Sequence, residues 1–215
     1  MQWLEQIPNI YVEDDKAVHP RDLGPNFYSS DAFVNKLLDY FKERSPDDRA
    51  KPFFAYLVFT APHWPLQVPD ENRNNYRGRY DEGPGVLRQG RISALKKLKI
   101  VPQEAVPHPV LAIPDDLELY QEWEDLSKSQ QAASARRMEI YAAMVERMDA
   151  QIGKVIDYLK ETDELDNTLV LFISDNGAEG MLLEAVPLVG ANFEEHLDKY
   201  YDNSVENLGR YNSFA

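Results

Sequence analysis

The sequence predicts an α/β domain built around a parallel or mixed β-sheet. Two short runs, Phe53–Phe59 and Leu169–Ile173, are apolar on both alternating faces, as strands covered on both sides are. Each run follows a segment of helical period, so helix and strand alternate twice along the chain. Breakers bound them, Pro52 before the first and Asp175-Asn176-Gly177 after the second.

Residues 1–27 carry no clear period and contain Pro8, Pro20, Gly24 and Pro25, the mark of an irregular entry segment. Ser29 or Ser30 followed by Asp31 reads as a helix start. Phe33, Leu37, Leu38 and Phe41 then recur at helical spacing to about Arg44, where Ser45-Pro46-Asp47-Asp48 supplies turn chemistry. Beyond the first strand, residues 62–115 are rich in proline and read as a long irregular excursion with one basic helical piece, Arg91–Lys99. With the acidic and polar stretch that follows, the excursion reaches about residue 137.

The clearest helix carries Tyr141, Met144, Val145, Met148, Ile152, Val155, Ile156 and Leu159 as one apolar stripe. That stripe reads as core. The charges beside it, Arg136, Arg137, Glu146 and Arg147, read as a solvated face. After the second strand, the tail from Gly180 shows no strong period.

Composition narrows the function. Among 215 residues, 43% are hydrophobic and 28% charged, ordinary values for a globular chain, and no apolar run is long enough to cross a bilayer. The first residues have no basic flank before an apolar core, so they do not read as a signal peptide. A net charge of −14 argues against a nucleic-acid partner, which needs a basic footprint. Tyr76-Arg77-Gly78-Arg79-Tyr80 interleaves aromatic and basic residues, but one short patch on so acidic a chain does not alter that. The absence of cysteine excludes disulfide, zinc-thiolate and thiol-nucleophile chemistry within these residues.

Two places combine reactive residue types with the exit of a predicted strand, where open α/β sheets bind their ligands. Asp175 and Asn176, within Ser174-Asp175-Asn176-Gly177, offer hard oxygen donors suited to Ca²⁺ or Mg²⁺. The same four residues also make an excellent turn. His63, within Thr60-Ala61-Pro62-His63-Trp64-Pro65, sits between two prolines that favour a stiff, extended backbone, suiting a group aimed at a substrate. It also reads as a capping or core histidine in a rigid loop. His19, His108 and His196 have no comparable setting.

In order, Tyr28–Phe33, Pro52–Tyr56, Thr60–Pro69, Tyr76–Asp81, Met138–Asp149 and Thr168–Gly177 resemble the sulfatase family of the alkaline-phosphatase-like superfamily, its arylsulfatases above all. The resemblance covers nearly the whole chain. It implies a large mixed sheet sandwiched by helices, of which this chain holds an incomplete part, and hydrolysis of small-molecule sulfate esters. It implies that His63 contacts the sulfate group and assists the leaving oxygen. It also implies that Asp175 and Asn176 ligate Ca²⁺, or Mg²⁺. The family nucleophile is a hydrated formylglycine made from the cysteine or serine of a Cys-x-Pro-Ser-Arg motif.

Neither that motif, nor the early Asp-Asp metal pair, nor the Gly-Lys-Trp-His segment is present, and Asp14-Asp15 lies in the wrong place to substitute. The expectation is therefore a truncated catalytic domain with negligible turnover by itself. A phosphoester hydrolase of the same superfamily, or a non-catalytic remnant of the fold, are the competing expectations.

Overall fold

The computed structural model describes residues 11–18, 20–24, 26–108, 121–177, 197 and 199–214. Within the entry segment, β1 (Tyr11–Glu13) pairs antiparallel with β2 (Lys16–Val18), with Tyr11 opposite Val18 and Glu13 opposite Lys16. Asp14 and Asp15 form the turn, Asp14 at φ 55°, a left-handed conformation that aspartate tolerates well. Strands this short show no period, which is why the segment reads as irregular.

Helix α1 (Ser29–Glu43) forms where its spacing predicts, with Asp31 in the first turn and Lys42 in the last, each favourable to the helix dipole. Ser45-Pro46-Asp47-Asp48 is more than a turn. It starts a single helical turn, α2 (Pro46–Arg49), capped by the Ser45 hydroxyl accepting from the Asp48 N–H at 3.2 Å.

Helix α3 (Gly83–Lys97) starts well before Arg91, because Pro84 presets the first helical turn. Helix α4 (Lys128–Glu161) has 34 residues, which makes it about 50 Å long. A reciprocal capping box between Ser127 and Gln130 opens it. Asp163 at φ 58° closes it, with Glu164 N–H donating to Leu159 O at 2.8 Å and Asp163 N–H to Lys160 O at 3.1 Å. The excursion expected over 62–137 thus contains α3 and the first turns of α4.

The predicted strands are corrected. Neither Phe53–Phe59 nor Leu169–Ile173 is part of a sheet among the described residues, whose one sheet is the β1–β2 hairpin. Phe53 packs edge-on to Phe41 near the end of α1 (4.9 Å between centroids), and Thr60 shares a hydrogen bond with Ser29 at its start (3.1 Å). Residues 53–60 therefore run back along α1, and the roughly 18 Å between those two points takes most of the chain's ~23 Å reach. Phe53, Leu57 and Phe59 are half-buried on that side, while Phe54 is 92% exposed. Leu169 is 84% exposed. A strand apolar on both faces needs hydrogen-bonded neighbours and a second covering layer, and the described helices supply one layer on one side.

One face of α4 organises the described residues. Ile140, Ala143 and Met144 form a buried cluster with Ala61 and Val68, against which Leu66 and Tyr76 pack. Phe41 of α1 stacks on Tyr158 at 5.7 Å, and Arg44 bonds Glu164 at 2.7 Å. Of the charges read as a solvated face, Arg137 is exposed, but Arg136 and Arg147 behave otherwise. Arg136 and Glu139, each 2% exposed, form a buried ion pair at 2.6 Å. Glu139 also accepts the Gly78 N–H at 2.7 Å, and Arg136 donates to Asn74 at 3.1 Å. Arg147 grips Asp31 through Nε (3.0 Å) and Nη2, and donates from Nη1 to Glu71 at 3.0 Å and Asn72 at 3.1 Å. Both guanidiniums point along the buried face because residues 136, 140, 143 and 147 recur at helical spacing.

The segment 201–214 lies against the same face. Gly209 sits at φ 93°, and an added Cβ would fall 2.5 Å from Ile140 Cδ1. Its carbonyl accepts the Val68 N–H at 2.9 Å.

Three outcomes are expected. Arg136→Met, which leaves buried Glu139 with Arg77 as its remaining cation among the described residues, should lower stability by about 3 kcal/mol, read by urea unfolding. Gly209→Ala should lower it by roughly 1–3 kcal/mol through overpacking and a strained backbone. Burial pushes the Tyr28 phenol up to about 12, against an ordinary value of about 10. The folded state thus holds the Tyr28 proton longer, so stability stays level below pH ~10 and declines between ~10 and ~12. Tyr28→Phe should reduce that decline in urea unfolding across this range.

Candidate active site and family relationship

His63 is presented by a loop whose two feet are fixed. Ala61 before it and Val68 after it are buried against Ile140, Ala143 and Met144 of α4. Between them the backbone turns tightly, which corrects the extended conformation expected from the flanking prolines. Thr60 O accepts the His63 N–H at 3.0 Å around a cis Ala61–Pro62 bond, the pattern of a type VI turn, and the Trp64–Pro65 bond is also cis.

The imidazole itself is exposed. Its Nδ1 lies 2.7 Å from the Trp64 carbonyl oxygen. The Trp64 ring meets Phe214 edge-on at 5.4 Å, and Gln67 donates to the carbonyls of Tyr211 (3.1 Å) and Ser213 (2.8 Å). A parallel bridge joins Gln67 to Gly209. The loop is therefore clamped between α4 and residues 201–214.

Asp175 and Asn176 follow the exposed Leu169–Ile173 segment and are exposed themselves. Their hydrogen bonds are those of a turn. Ser174 donates to Asn176 O at 2.6 Å, Asn176 N–H to Asp175 Oδ1 at 3.0 Å, and Asn176 Nδ2 to Gly177 O at 2.7 Å. The donors suit a hard cation in kind but fall short in number. Ca²⁺ takes six to eight oxygens, and among the described residues no group of three or more His, Cys, Asp or Glu side chains comes together for a metal.

No hydrogen bond or ion pair among the described residues joins His63 to Asp175 or Asn176. His108 is exposed, while His19 and His196 lie outside the described residues. A groove of about 390 Å³ lies elsewhere, between α3 and the first turns of α4, where Trp123 lies across Gly83. It contains neither His63 nor Asp175.

Sequence reading missed the residues that hold the His63 loop. Arg147 and Asp31 tie the start of α1 to α4, and Ser29 beside them holds Thr60. The available signal was the register of Arg136 and Arg147 with the apolar stripe. Gln67 and Phe214 carried none, because their partners lie far along the chain.

Comparisons with known proteins give the family of the chain. The sulfatase family profile matches residues 8–205. An uncharacterized sulfatase of Schizosaccharomyces pombe is 50% identical over 97% of the chain, and an arylsulfatase of Klebsiella aerogenes is 38% identical over 99%. The chain spans 35% and 42% of the length of these two relatives. A multifunctional alkaline phosphatase superfamily protein of Trinickia caryophylli is 26% identical over 74% of the chain and is covered over 29% of its own length. Sulfatases generally use a divalent metal. With a profile match over most of its length and relatives aligned almost end to end, this chain belongs to the sulfatase family.

Proposed function

We propose that these residues form part of the catalytic domain of a sulfuric ester hydrolase of the arylsulfatase type. The observation that carries the reading is the alignment with an arylsulfatase over 99% of the chain. The loop geometry supports it by holding an exposed imidazole on a fixed backbone. On this reading His63 hydrogen-bonds the sulfate group and gives a proton to the departing ester oxygen, a general-acid role. Asp175 and Asn176 supply two oxygen ligands to Ca²⁺, or Mg²⁺, and the remaining ligands come from elsewhere in the protein. When bound, such a cation offsets charge on the sulfate oxygens. The 215 residues contain no cysteine, so the formylglycine route from cysteine needs a residue beyond them. They should release no sulfate on their own.

In the whole protein, His63→Ala and Asp175→Ala should each lower kcat/KM for an aryl sulfate by roughly 100-fold or more. Unchanged kcat/KM in either variant removes that residue from the mechanism. Assay of the matching aryl phosphate separates this reading from a phosphoester hydrolase, which would turn over the phosphate faster.

A further inference from the structure

Nδ1 of His63 lies 2.7 Å from the backbone oxygen of its neighbour, Trp64. A carbonyl oxygen only accepts, so the proton of this bond belongs to Nδ1. The hydrogen bond of one ring nitrogen decides what the other carries, and here that leaves Nε2 as the nitrogen free to act. A single such bond on an exposed ring is weak by itself. It persists only while the Trp64 carbonyl is held still, and three contacts restrain the loop that carries it. The Trp64 ring packs on Phe214, which also meets Tyr201 at 5.3 Å. The Gln67 amide donates to the carbonyls of Tyr211 and Ser213. Val68 N–H donates to Gly209 O, and Gly209 itself lies against Ile140 of α4.

We propose that residues 209–214 act as a brace which, through Trp64 and Gln67, locks His63 in the Nδ1–H tautomer and turns Nε2 toward the substrate. Gln67 and Phe214 are positioning residues, since neither needs to touch the reacting atoms. The proposal rests on the reading of His63 as the proton donor. In that step the imidazolium breaks its Nε2–H bond and leaves the electron pair on Nε2, while the ester oxygen gains the proton as its bond to sulfur breaks. The ring returns to the same Nδ1–H neutral form it had before, so no tautomer exchange interrupts the cycle.

The test is a two-bond ¹⁵N–¹H correlation spectrum of the whole ¹⁵N-histidine-labelled protein at a pH where the ring is neutral, with His63→Gln assigning the signal. Free histidine favours the proton on Nε2, so dominance of Nδ1–H supports the lock, and dominance of Nε2–H overturns it. Gln67→Ala should move the ratio toward Nε2–H by roughly two- to tenfold, the worth of one hydrogen bond. Phe214→Leu should move it the same way, and Phe214→Tyr, which keeps the ring, should restore it. An unchanged ratio in both folded loss variants overturns the brace. Should Gln67→Ala fail to fold, the Leu and Tyr variants at 214 decide alone. The measurement needs no turnover. A protein that hydrolyses no sulfate ester, yet shows Nδ1–H, loses the functional reading and keeps the lock.

Discussion

The described structure depends on what one face of α4 can hold. Ile140, Ala143 and Met144 supply apolar surface, and Arg136, Glu139 and Arg147 supply charge along the same line. Several parts of the chain distant in sequence meet there: the start of α1, the His63 loop, the turns at 69–82 and the segment 201–214. None of them has a core of its own. The buried pair is costly to desolvate, and its value lies in fixing which turn meets which level of the helix. Glu139 can satisfy the Gly78 N–H only when residues 74–78 sit at one height on α4.

That arrangement explains how an exposed histidine can be well placed. Its loop is planted on both sides in apolar contacts with α4, and Ser29 and Arg147 hold the neighbouring turns. Functional side chains are most exact when rigid elements carry them. Asp175 and Asn176 differ, because their own turn is their main support among the described residues. The two candidate places thus differ in how much of the surrounding chain supports them. The His63 loop is held from two sides, and the Asp175–Asn176 turn offers oxygens without the number a cation requires among the described residues.

The exposed apolar segments belong to the same account. Residues 53–60 lie back along α1 with Phe53, Leu57 and Phe59 half-buried. Their outer face, and nearly all of Leu169–Ile173, meets solvent. Apolar surface of this extent on a monomer marks a place for further packing. The chain spans 35% and 42% of its two most fully aligned relatives here.

The sequence by itself determined the periodic elements. Helices α1 and α4 follow from spacing, caps and breakers, all local in their physics. His63, Asp175 and Asn176 could be singled out because residue type and setting are also local, and the order of motifs gave the family. The tertiary structure decided the rest. Whether an apolar run becomes a strand depends on neighbours that its own residues do not encode, and among the described residues Phe53–Phe59 and Leu169–Ile173 have no strand partner. The burial of Arg136, the ion pair of half-buried Arg147 with Asp31 and the contact of Gln67 with Ser213 depend on residues up to 146 positions apart. Such pairings are settled by packing: Arg136 and Glu139 are neighbours on one helix, but Asn74 and Gly78, which bond them there, arrive from elsewhere in the chain.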